Sequence, residues 1–216
     1  MKDKLLILDM DNTILQSKID FSLMQKDVRA ILADNGLGRY SHRSVATSIL
    51  NFSQSPDYDE KLAQKIWDRI TELEAIGLDQ AQLEPDALDA LAYLNDFTEL
   101  AVLSNNTDVA IGDNLERLGI APYLSFVAGR NSVPYVKPSP EGMLLVKAHY
   151  PHIPLSGTLA VGDALIDAQA AEAADIGFVA YNRSRFEDWQ KWHIRPLLQL
   201  NRWDRENCDK IRRLWK

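Results

Sequence analysis

Cysteine is nearly absent: Cys208 is the single one in 216 residues. That excludes an internal disulfide and a cysteine-rich metal site, and it agrees with a reducing compartment. Long apolar runs are also missing. No stretch approaches the ~18 residues a membrane helix needs, and Met1-Lys2-Asp3-Lys4 leads straight into Leu5-Leu6-Ile7-Leu8, so no signal peptide is expected ahead of it. The expectation is a cytoplasmic protein with no membrane partner. Positive charge is in deficit, with 24 Lys and Arg against 31 Asp and Glu and a formal net charge of −7. A basic face for nucleic acid is therefore not expected. Internal repeats and low-complexity segments are lacking too. What remains is 46% hydrophobic, enough to bury the core of one domain or two small ones.

The first apolar run ends in Asp9-Met10-Asp11-Asn12-Thr13. A buried strand finishing in Asp-x-Asp puts two acidic groups at its carboxyl end, where open α/β sheets bind ligands, and both can face one pocket as the chain turns. One carboxylate can attack a phosphorus atom while the other moves the proton, which outlines a phosphoryl-transfer site. Aspartates after a strand are also common as solvated turn residues, so the rest of the chain has to decide.

From residue 85 onward, helical and strand-like segments alternate. Pro85 and Asp86 open a helix with Leu88, Leu91 and Leu94 on one face. Leu100–Leu103 reads as a strand, Ile111, Leu115 and Leu118 mark a helix stopped by Gly119, and Ser139-Pro140 starts a helix running to about Tyr150. Thr158–Val161 is a strand, 165–174 an alanine-rich helix and Gly177–Tyr181 a strand. The fold class expected is α/β, a doubly wound, Rossmann-like parallel sheet with right-handed crossovers.

Roughly 70 residues separate the first motif from Pro85, against the 2 to 6 of a usual strand-to-helix loop. They form an inserted helical unit. Phe21, Met24, Val28 and Ile31 share a face before Asn35-Gly36; Val45, Ile49 and Phe52 suggest a second helix; Leu62, Ile66, Ile70 and Leu73 suggest a third, closed by Gly77. The expected division is residues 1–15 and 85–216 as the core and 16–84 as the insert. The tail from Arg183 holds four of the five tryptophans, Trp189, Trp192, Trp203 and Trp215, and is expected to add an edge strand near 194–200 and a terminal helix with Cys208, Ile211 and Trp215 on one face. Arg212, Arg213 and Lys216 near its end complement a helix C-terminus.

The motifs resemble those of the haloacid dehalogenase superfamily of phosphohydrolases, in its phosphoglycolate phosphatase-like branch with a helical cap. All four stand in order: Asp9–Ile14, Leu103-Ser104-Asn105-Asn106, Lys137-Pro138 and Gly162-Asp163-Ala164-Leu165-Ile166-Asp167. The resemblance implies that Asp9 is the nucleophile, forming an aspartyl-phosphate, and that Asp11 is the general acid and base. It implies magnesium on Asp9, Asp163, Asp167 and the backbone carbonyl of Asp11, a hard oxygen set of the kind that ion prefers. Lys137 would supply a second positive charge, and Thr13, Ser104 and Asn105 would hydrogen-bond the transferring oxygens. The insert would be the cap that closes over a small phosphorylated metabolite. Two departures stand out: Asn12 replaces the commoner glycine, and Ala164 stands where many members have a hydroxyl residue. The carboxylate of Asp11 separates the chain from the dehalogenating branch, which lacks that group. A phosphomutase would use the same core residues. A non-catalytic phosphate-binding protein could keep the scaffold, and a receiver domain would lack both the insert and the Asp-x-Asp-x-Thr form. Arg39, Tyr40, His42 and Arg43, between the first two insert helices, are candidates for either substrate contact or a solvated loop.

Overall fold

The computed structural model describes residues 2–181, 189 and 193–215; Arg183, Trp192 and Lys216 lie outside them. The chain divides into two compact units, Met1–Gln16 with Gln82–Lys216, and Ser17–Ala81.

The first unit is built on β1 (Leu5–Leu8), β4 (Glu99–Leu103), β5 (Phe126–Ala128), β6 (Thr158–Gly162), β7 (Gly177–Tyr181) and β8 (Leu198–Leu200), in the spatial order β5-β4-β1-β6-β7-β8 and parallel throughout. All four residues of β1 and all five of β6 are buried. That is why these strands read as continuous apolar runs: a central parallel strand is covered on both faces and has no solvent side to alternate with. One face carries Leu5, Ile7, Ala101, Leu103 and Ala160 into a cluster with Met143 and Val146 of α6 (Glu141–His149) and Ala168 and Ala171 of α7 (Leu165–Ala173). Helix α6 starts one residue later than the Ser139-Pro140 signal suggests, with Pro140 as its N-cap.

Two further helices, α4 (Ala87–Asn95) and α5 (Asp108–Arg117), follow the expected segments, but Leu88 points outward at 41% exposure while Ala87, Ala90, Leu91 and Leu94 are buried. The terminal helix α8 (Arg205–Arg213) packs on α4: the Tyr93 hydroxyl donates to Asp209 at 2.6 Å, and the Arg212 guanidinium lies 4.7 Å from the Phe97 ring centre. Sequence reading misses β5 and the two-residue pair β2 (Leu15–Gln16) and β3 (Gln82–Leu83), which run antiparallel. Segments this short carry no readable period.

The second unit holds α1 (Phe21–Asp34), α2 (Val45–Ser53) and α3 (Glu60–Asp79). The inner face of α1 is Met24, Val28 and Leu32, with Phe21 left exposed. Asp20, Ser44 and Asp59 cap the three helices by accepting from the backbone N–H groups of Leu23, Thr47 and Leu62. Gly77 does not end α3, which runs through it to Asp79. A Cβ at Gly77 would stand 2.4 Å from the backbone of Ile19, so this glycine serves close approach of two chain segments rather than a helix stop. Arg39 and Tyr40 both hydrogen-bond Asp57, while His42 accepts from the Ser44 amide.

Candidate active site

Strand register brings the motifs together. Leu8 lies opposite Val102 of β4 and Val161 of β6, so Asp9, Ser104 and Asp163, the residues just past those strand ends, emerge side by side at the carboxyl rim. The Asp9 amide adds one more ladder bond to the Val161 carbonyl at 2.9 Å. Asn12 then turns the chain at φ 56°. Asparagine tolerates this left-handed conformation better than most residues, so the departure from glycine keeps the turn.

Lys137 arrives from the loop after β5 and is 3% exposed. Its Nζ donates to Asp9 Oδ1 at 2.6 Å, to Asp167 Oδ1 at 2.6 Å and to the Leu103 carbonyl at 3.0 Å, using all three ammonium hydrogens. The other oxygen of Asp9 accepts from the Thr13 hydroxyl at 3.0 Å. Asp167, the third residue of α7, also accepts from the Ala164 amide at 3.0 Å, joining helix capping to a charged contact. Gly162 makes room for it, since a Cβ there would lie 2.5 Å from the Asp167 side chain.

Asn105 holds Lys137 by its backbone: Nδ2 donates to the Lys137 carbonyl at 2.9 Å and Oδ1 accepts from the Lys137 amide at 3.0 Å. Ser104 is buried, with its Oγ accepting from the Asn106 amide at 3.2 Å. Asp11 Oδ2 accepts from Asn106 Nδ2 at 2.6 Å. Asn106 is not among the site residues expected from sequence; the signal for it is a second amide side chain directly after Ser104-Asn105 at a strand end. Trp203 of the tail is likewise not expected at the site. That residue is 2% exposed, stacks on Tyr181 at 5.2 Å and donates its indole N–H to the Thr13 carbonyl at 2.6 Å.

Carboxylate oxygens of Asp9, Asp163 and Asp167 lie within 4.8 Å of one another. The electrostatics record the crowding. Burial, then the negative charges of Asp9, Asp167 and Asp11, push the Asp163 carboxyl well above the usual carboxylate range, against the pull of Lys137. Burial and Asp9 raise Asp167 to about 6, again opposed by Lys137. Burial on its own would lower Lys137, but Asp167 and Asp9 together hold its pKa above the ordinary lysine value. One lysine thus faces three close carboxylates, an excess of hard anionic oxygen that suits a divalent cation such as magnesium.

The model of the haloacid dehalogenase-like hydrolases matches residues 4–175. The chain belongs to that family. Among curated proteins, the phosphoglycolate phosphatase of Pseudomonas syringae pv. tomato is 26% identical over 196 residues, covering 84% of this chain and 72% of that one. Among solved structures, a haloacid dehalogenase-superfamily hydrolase of subfamily IA, variant 1, from Geobacter sulfurreducens is 25% identical, with a TM-score of 0.61 over 96% of this chain and 98% of that one. A hydrolase from Pseudomonas syringae shares the fold at a TM-score of 0.71 and 18% identity, covering 96% and 99% of the two chains. The family match ends before β7, so Tyr181, Trp203 and α8 lie beyond it, while every motif residue named above falls within it. Among the described residues, no helix is long and apolar enough to cross a membrane.

Proposed function

We propose that this hydrolase is a magnesium-dependent phosphatase that cleaves a small phosphorylated metabolite through an aspartyl-phosphate on Asp9. The observation that carries the reading is the Lys137 ammonium, held 2.6 Å from both Asp9 and Asp167 beside Asp163 at the ends of three adjacent strands. Phosphate esters resist attack because their oxygens repel anions, so a site must neutralise charge and fix the nucleophile in line. Asp9 is fixed at both oxygens, by Lys137 and by Thr13. It attacks phosphorus; the ester P–O bond breaks, and Asp11 gives its proton to the departing alkoxide. Asp11 then takes a proton from the water that cleaves the phosphoenzyme. Asp9, Asp163, Asp167 and the Asp11 backbone carbonyl would hold magnesium, which when bound offsets the charge of the phosphoryl oxygens. Ser104 and the amide of Asn105 donate to those oxygens, and the Asn105 side chain ties motif two to Lys137. The inserted unit acts as the cap that excludes water during transfer.

Phosphoglycolate heads the substrates to try, because the curated relatives carry its name. The test is phosphate release from phosphoglycolate, glycerol 3-phosphate, glucose 6-phosphate and AMP with magnesium, against Asp9→Asn as the blank. Release confined to the wild type is expected. Equal release by both proteins would reject Asp9 as nucleophile, and sugar phosphate isomers without free phosphate would turn the reading to a phosphomutase.

A further inference from the structure

Asn106 has no part in the chemistry above, yet its side chain lies against the group that moves the proton. The residue is 3% exposed, and its Nδ2 donates to Asp11 Oδ2 at 2.6 Å. The two residues come from the turns after the neighbouring strands β1 and β4. The backbone of Asn106 is anchored separately. Its amide donates to Ser104 Oγ at 3.2 Å, and its carbonyl accepts from the Arg130 amide at 2.8 Å. The carboxamide therefore projects from a fixed point, and a buried amide at hydrogen-bond distance limits how far the Asp11 carboxyl can rotate.

We infer that Asn106 is a positioning residue for Asp11, one that holds its carboxyl group in the orientation from which it delivers the proton. As the Asp9–phosphorus bond forms and the ester P–O bond breaks, the electron pair goes to the leaving oxygen, which takes the hydrogen of the Asp11 acid. Loss of the amide removes one of the contacts that orient the carboxyl group toward the leaving oxygen. A misplacement of about 1 Å can cost on the order of 100-fold in rate. The inference rests on the phosphatase reading, and its test separates the two.

The experiment compares kcat/KM for two ester classes, because this parameter reports the steps through phosphorylation of Asp9 and excludes later hydrolysis. One substrate is the most rapidly cleaved of phosphoglycolate, glycerol 3-phosphate and glucose 6-phosphate, whose alkoxide leaving groups need a proton. The other is 2,4-dinitrophenyl phosphate, whose leaving group departs without one. In Asn106→Leu, which keeps the volume but lacks the donor, kcat/KM falls roughly 10- to 100-fold for the alkyl ester and less than about 3-fold for the aryl ester. Asn106→Ala, which removes the donor without adding bulk, gives the same split. The aryl activity shows within one preparation that each variant is folded and able to phosphorylate. Equal losses on both esters, or no loss on either, would overturn the inference. Wild-type protein inert toward both esters, or an Asp9→Asn protein still active, would instead reject the phosphatase reading itself.

Discussion

Replacing Asp167 by asparagine should make the metal-free protein more stable at neutral pH. The carboxyl group is buried at 2% exposure and its pKa is raised to about 6 from an ordinary 3.8, by burial first and by Asp9 second. A raised carboxyl pKa means that the folded protein binds this proton more tightly than the unfolded chain does. Stability is therefore lost as pH climbs from about 4 to about 6 and stays lost above that. At about 1.4 kcal/mol per pKa unit, the ionised group costs ~3 kcal/mol at pH 7.5 and about half of that at pH 5, half-way through this range. Asparagine resembles the neutral acid in shape, and its single oxygen can still accept from Lys137, now 2.6 Å from Asp167, while the Ala164 amide, now 3.0 Å from the other oxygen, loses its acceptor at a cost of about 1 kcal/mol. Lys137 keeps Asp9 as its partner. Urea unfolding in EDTA should thus show Asp167→Asn ahead of wild type by about 2 kcal/mol at pH 7.5 and by clearly less at pH 5, a rise in Tm of roughly 4 to 8 °C at the higher pH. Magnesium at a hundred times its Kd would return about 2.7 kcal/mol to the wild type and less to the variant. A variant less stable than wild type in EDTA at pH 7.5, or a gain unchanged between the two pH values, would refute the reasoning.

Removing Lys137 should act in the opposite direction, since it leaves buried carboxylates without their cation: Lys137→Met is expected to lose about 3 to 5 kcal/mol in EDTA at pH 7.5 and less at pH 5, read by the same unfolding curves. Trp203→Phe keeps an aromatic ring against Tyr181 but withdraws the donor from the Thr13 carbonyl; it should cost about 1 to 3 kcal/mol and lower kcat, measured by urea midpoint and phosphate release.

The parts of this fold legible in sequence are those where burial acts on whole segments. Leu5–Leu8, Leu100–Leu103 and Thr158–Val161 stand out because central parallel strands are apolar on both faces, and Asp9, Ser104 and Asp163, singled out by the family motifs, follow their ends. Helix faces are less legible. Phe21 and Leu88 fit the period but sit at the margins of their helices, where apolar side chains can face solvent. Gly77 looks like a stop signal because local sequence does not reveal that Ile19 passes against it. Within the site, residue identity is more legible than hydrogen bonding. Asn105 is foreseen as a phosphate donor, whereas its carboxamide clasps the Lys137 backbone. The Asn106–Asp11 contact and the reach of Trp203 to Thr13, 190 positions away, depend on tertiary placement that has no local signature.

Turnover by this site requires Asp9 to carry the phosphoryl group covalently. The most direct measurement is to quench the magnesium-loaded enzyme during turnover of its best phosphate ester, reduce with borohydride, and locate the modified residue by mass spectrometry of peptides. An acyl phosphate on Asp9 would be reduced to homoserine at that position alone, and Asp9→Asn would give none. Full phosphate release with position 9 unmodified, or with the reduced residue at Asp11 or Asp163, would contradict it.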